Sequence, residues 1–233
     1  MKKNSYYLLF PLIIMGFSAL FISGCSKSSS STQSTTGTVT DIDGNVYPTV
    51  TIGNQVWMAA NLKTTKYRNG TVIPVVTDSI QWSTLTTAAS CYANNDLNKV
   101  SIYGRFYNFY AVTDSLNNIA PTGWHVPTDA DWTTLINYLG TSTAGGKLKS
   151  TGTSLWDSPN TGATNETGFN GIPGGDRSNS GAYHYMGMYA CWWSTTAASS
   201  TEAWEYVLTY NSSGYVRMQY SKGLGLSVRC VKD

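Results

Sequence analysis

From Tyr183 onward the chain places large apolar and aromatic residues at every second position, and this period of two commits the last third to β-structure. Trp204, Tyr206, Leu208 and Tyr210 alternate, as do Leu226, Val228 and Cys230, while Tyr183 to Trp193 and Tyr215 to Tyr220 read as further strands. Asn211 to Gly214 supplies a hairpin turn. Strands spaced in this way predict a twisted antiparallel sheet. Charged residues make up only 12% of the chain and aromatics 13%, so the surface has to lean on Ser, Thr, Asn and Tyr. No internal repeat is evident.

Upstream, Thr38 to Ile52 predicts a hairpin whose turn is Asp43-Gly44-Asn45, a strong turn signal. Asp41 and Asp43 suggest calcium ligands at first sight. The later acidic residues of a calcium loop are missing, and a plain turn is expected. Asn54 to Leu62 reads as a short strand with its exit loop. Asp78 and Gln81 form a capping-box pattern opening a short helix that would bury Trp82 and Leu85. Tyr103 to Val112 is too densely aromatic for periodicity to separate helix from strand. The clearest helix starts at Thr128, where a capping box with Asp131 precedes Trp132, Leu135, Ile136 and Leu139 at helical spacing, and Gly140 ends it. From Gly145 to Ser180 the composition predicts long loops held to a core by Leu155, Trp156 and Phe169.

The N-terminus carries an export signal. Lys2 and Lys3 precede an apolar stretch from Tyr6 to Ile22, interrupted by Pro11, Gly16 and Ser18 and too short for a stable membrane span. It ends in Ile22-Ser23-Gly24-Cys25, the lipobox pattern in which the cysteine thiol accepts a diacylglycerol. Residues 1–24 are therefore expected to be a cleaved signal peptide, 25–36 a Ser/Thr-rich tether beginning at lipidated Cys25, and 37–233 one globular domain. The predicted location is the cell envelope, as an outer-membrane lipoprotein facing either the periplasm or the medium. Two of the 15 basic residues lie in the leader; the other 13 balance 13 acidic residues, which disfavours a nucleic-acid partner.

Cys91, Cys191 and Cys230 remain beyond Cys25. An odd number in a disulfide-permissive compartment is most simply one pair and one free thiol, and spacing alone does not say which.

No catalytic constellation stands out. His125 at a helix start and His184 among tyrosines have no sequence company and read as structural. Glu202 and Glu205 read as a solvated pair flanking Trp204, and Glu166 and Asp176 as isolated loop acids. The cysteines and histidines lack zinc-ligand spacing, so no metal and no cofactor is expected. Aromatics remain as a resource: Trp192, with Tyr183, Tyr185, Tyr189, Tyr215 and Tyr220, could form a platform for sugar rings. Adjacent residues of a strand face opposite ways, which puts Trp193 in the core and leaves Trp192 as the candidate for stacking. Arg177 is a further candidate ligand contact, although Arg177 and Arg229 also read as loop anchors.

Several ordered segments together carry a family resemblance: Ile52 to Leu62, Tyr103-Gly104-Arg105-Phe106-Tyr107-Asn108, Gly123-Trp124-His125-Val126-Pro127-Thr128, Trp192-Trp193-Ser194-Thr195-Thr196 and Ser227-Val228-Arg229-Cys230. From about Val39 to Asp233 the chain resembles the Fibrobacter succinogenes major paralogous domain, found in exported proteins and without an established activity. The resemblance implies a Cys91–Cys230 disulfide with Cys191 free. More distantly, Trp124 to Thr128 followed by Asp131-Trp132 is similar to the helix start of formylglycine-generating-enzyme domains. That similarity implies an α+β, C-type lectin-like fold: a twisted antiparallel sheet, two main helices, long loops and chain ends close together. Neither that enzyme's late cysteine or copper loop nor the calcium-binding motifs of lectins are matched. The combined expectation is a non-catalytic binding or adhesion module, for polysaccharide or an envelope protein. A structural envelope protein is the alternative, and an enzyme of unrecognised type comes third.

Overall fold

The computed structural model describes residues 35–114 and 116–233; the expected signal peptide, Cys25 and the tether up to residue 34 lie outside the described residues. In chain order the strands are β1 (Thr35–Thr40), β2 (Val46–Ile52), β3 (Gln55–Met58), β4 (Ser90–Cys91), β5 (Phe106–Tyr107), β6 (Trp124–His125), β7 (Asp176–Arg177), β8 (Tyr183–His184), β9 (Tyr189–Ala197), β10 (Glu202–Thr209), β11 (Val216–Ser221) and β12 (Val231–Lys232). The helices are α1 (Ser79–Ser83), α2 (Val100–Tyr103), α3 (Phe109–Val112), α4 (Asp129–Leu139) and α5 (Ala144–Leu148).

The first hairpin forms because its turn satisfies itself. Asp41 Oδ1 accepts from the backbone N–H of Asp43 and Asn45, its Oδ2 accepts from the Tyr47 hydroxyl, and Gly44 takes φ 82°. The Asp43 carboxylate is equally committed, to Thr64, Thr65 and Lys66, so the turn is the plain one its residues suggest. The hairpin joins β3, β12 and β6 in a five-stranded sheet ordered β1-β2-β3-β12-β6, which brings the first and last strands into one layer. β1 begins at Thr35, two residues inside the segment read as tether.

Helix α4 has the predicted ends and the predicted face. Thr128 accepts from Asp131 N–H while Asp131 accepts from Thr128 N–H, and Trp132, Leu135, Ile136 and Leu139 are buried. Such a cap is worth about 1 kcal/mol. The expectation of two main helices needs correction: α4 has 11 residues, and each other described α-helix has four or five. In the ambiguous Tyr103–Val112 segment, Gly104 at φ 74° ends α2, two residues pair with β4, and the Asn108 side chain then caps α3. Short-range hydrogen bonding breaks the segment before one long helix can form.

Strands β9, β10 and β11 make a second antiparallel sheet, ordered β11-β10-β9. The two faces of β9 and β10 enter different cores. Trp192, Tyr206 and Leu208 join α4, Trp57, Trp156 and Phe169 in one cluster, where Trp132 stacks on Tyr206 at 4.9 Å and 15°. Trp193, Cys191 and Val207 join a cluster with Tyr107, Phe109, Leu226 and Cys230. A third cluster gathers Trp82, Cys91, Tyr103 and Phe106. The long loop after α5 is held as predicted by buried Trp156 and Phe169, and also by a device that composition does not reveal. Lys149 is buried and donates to the carbonyls of Thr161, Thr209 and Ser212, tying the loop to the β10–β11 turn. Burial lowers its ammonium to about 8.

Candidate ligand-binding cleft

Beside the core that holds Trp193 and Val207, the face of the second sheet that carries Cys191 runs out into a cleft of 490 Å³. Alternation decides which side chains form its wall: Glu205, Val207 and Thr209 from β10, with Met218 opposite Glu205 and Tyr189 opposite Thr209 across the ladders. The opposite wall comes from the β7–β8 hairpin, in which Asp176 is the register partner of His184. Gly175 makes that hairpin possible. Its φ is 70°, and a Cβ there would lie 2.0 Å from the His184 carbonyl oxygen. Tyr185 follows at φ 60°, an unusual conformation for an aromatic residue, and its ring stacks on Tyr189 with centroids 4.5 Å apart and planes 25° apart. The stack stands at the cleft with Tyr185 half exposed.

Two carboxyls line this space. Glu205 is only 3% exposed, and its Oε2 has no hydrogen-bond partner. Burial pushes its carboxyl up to about 8, and the charge of Asp176 adds to the rise. Asp176 is itself raised by burial to about 6, against the opposing influence of His184, whose Nδ1 lies 3.6 Å from Asp176 Oδ1. The Cys191 thiol is pushed well above its ordinary value by burial, then by Glu205 and Asp176, and stays protonated. Among the described residues no set of three or more His, Cys, Asp and Glu side chains is arranged to hold a metal ion.

The candidate residues divide. Tyr185 and Tyr189 meet at the cleft. Trp192 does not stack in the open: it is 1% exposed and donates its indole N–H to Asn61 Oδ1, because α4 and Phe169 cover the face that alternation assigns to it. Tyr183 donates its hydroxyl to Asn95 and packs beside Arg177. Arg177 is fully buried between the rings of Trp82 and Tyr183, and its guanidinium donates to the carbonyls of Val76, Thr77, Asp78 and Gly181. It is a loop anchor and does not line the cleft. Arg229 plays the same part elsewhere, joining Asn61 to the carbonyls of Met58, Phe169 and Asn170.

The disulfide is corrected as well. Cys91, Cys191 and Cys230 are all buried free thiols, and the implied partners sit in different clusters, Cys91 with Trp82 and Phe106 and Cys230 with Tyr107 and Val228. His125 is the structural histidine expected, bridging Asp233 at 2.7 Å and the capping Asp131 at 3.1 Å. The residues missed by sequence reasoning are Glu205, Asp176 and His184. The usable signal was Val207: in an alternating strand it must share a face with Glu205, so that glutamate could not be an ordinary solvated one.

No curated protein and no solved structure matches this chain. The family model of the Fibrobacter succinogenes major domain matches residues 50–232, nearly the whole of the described fold, and the chain belongs to that family.

Proposed function

We propose that this protein is a non-catalytic binding module of the cell envelope, held in the outer membrane by lipid on Cys25, that takes a saccharide in the cleft between the β7–β8 hairpin and the β9–β11 sheet. The observation that carries this reading is the Tyr185–Tyr189 stack standing at the same cleft as two buried carboxyls. Flat aromatic faces suit the apolar side of a pyranose, and the Glu205 oxygen that lacks a partner suits one of its hydroxyls. A C-type lectin-like arrangement accords with the first and last strands sharing one sheet and with a loop-rich ligand region. The test is depletion of the full chain from solution by a panel of soluble and insoluble polysaccharides. Binding lost in Tyr189→Ala and retained without calcium is the expected result; no binding across the panel would leave a structural envelope role. Cys25→Ala should release the protein from the membrane fraction.

The convergence of Asp176, His184 and Glu205 favours a second reading, hydrolysis of a glycosidic bond. Glu205 would give its proton to the leaving oxygen while Asp176 takes one from the water that adds to the anomeric carbon. Reducing ends released from the same panel by the native chain, and not by Glu205→Gln, would establish it.

A further inference from the structure

The cleft sets two carboxyls against one imidazole, that of His184, which lies beside Asp176. Glu205 and Asp176 line it, no lysine or arginine does among the described residues, and the nearest basic group of the sheet is turned away. Arg217 alternates with Val216 and Met218, so it projects from the other face, where it pairs with Asp129 and lies over Trp204. A buried carboxylate without a counter-charge is costly by several kcal/mol, and a site can relieve that cost by keeping a proton or by receiving a cation. The Glu205 oxygen that has no partner is therefore a place prepared for one.

We propose that the cleft selects a saccharide bearing a free amine, seating its ammonium group at Glu205 and its ring face against the Tyr185–Tyr189 stack. The inference rests on the saccharide reading above and names its chemical class. Tyrosine faces attract cations as well as sugar rings, so one wall serves both parts of such a ligand. The titratable groups that line the cleft with Glu205 are Asp176 from β7, His184 from β8, Tyr185 just after it, Tyr189 and Cys191 from β9, and Tyr220 from β11. Above pH 6 or so Asp176 carries a negative charge. Cys191 stays a neutral thiol. Since burial holds the Glu205 proton up to about pH 8, an arriving ammonium displaces it, and binding below that pH releases a proton.

The experiment is titration calorimetry on the full chain at about pH 6, comparing a glucosamine oligomer with its N-acetylated counterpart in buffers of different ionisation enthalpy. The amine should bind about tenfold more tightly and release about one proton per molecule bound, with both effects lost in Glu205→Gln. Equal affinity for the two oligomers, or binding without proton release, would overturn the inference and leave the saccharide reading in place. If neither oligomer nor any neutral saccharide binds, both fall.

Discussion

Asp176 and His184 face each other across a two-residue ladder, the imidazole Nδ1 3.6 Å from the carboxylate, and together they form the wall opposite Glu205. Residues distant in sequence thus come to share one poorly solvated space. In such a space each carboxyl prefers its neutral form, and the charge of Asp176 further hinders the ionisation of Glu205.

This preference makes folding depend on pH. The folded-state values of Glu205 and Asp176 are raised, to about 8 and about 6, above unfolded values near 4.3 and 3.9. Their favourable contribution is complete below pH ~4 and is lost as pH rises, first through the Asp176 value and then through that of Glu205. Each group costs up to about 1.4 kcal/mol per pH unit within its window. Urea unfolding followed from pH 4 to pH 8 should show falling stability, and Glu205→Gln should flatten the fall between pH 6 and pH 8. An unchanged slope in that variant would remove Glu205 as its cause.

Buried Arg229 holds three backbone carbonyls and the Asn61 side chain, and only the Asn170 carbonyl among them belongs to an exposed residue. Arg229→Met keeps much of the volume but takes the guanidinium from the carbonyls of buried Met58 and Phe169, while Asn61 keeps the Trp192 N–H. We expect a loss of about 3 kcal/mol, read from the urea midpoint at constant slope.

Tyr185 separates binding from stability. Asparagine tolerates its left-handed backbone at φ 60° better than an aromatic residue does, and the exposed ring contributes little to the core. Tyr185→Asn should fold within about 1 kcal/mol of the parent while its saccharide affinity drops several-fold, compared by thermal melts and calorimetry side by side.

The three buried thiols offer a direct check on the covalent structure. Cys91, Cys191 and Cys230 should resist alkylation in the folded chain, and all three should react in denaturant without any reductant. Mass spectrometry finding two of them unlabelled under those conditions would restore a disulfide.

The sequence by itself determined the elements whose information is local. Asp43-Gly44 closes a hairpin through its own turn, Thr128 and Asp131 cap α4 through bonds three residues apart, and the burial of Trp132, Leu135, Ile136 and Leu139 follows from helical spacing. It also fixed that Trp192 and Trp193 point in opposite directions, because alternation is a property of any strand. Only the tertiary structure decided that both directions are interior. That outcome depends on α4 and Phe169 closing one face and Tyr107 and Phe109 the other, contacts that span from 23 to 86 residues of chain. The same distinction explains the cleft. Burial and electrostatic environment are properties of the space around a side chain, and for Glu205 that space is made by β7, β8, β9 and β11, so a glutamate that looks solvated in its own strand becomes a proton-holding group in the fold.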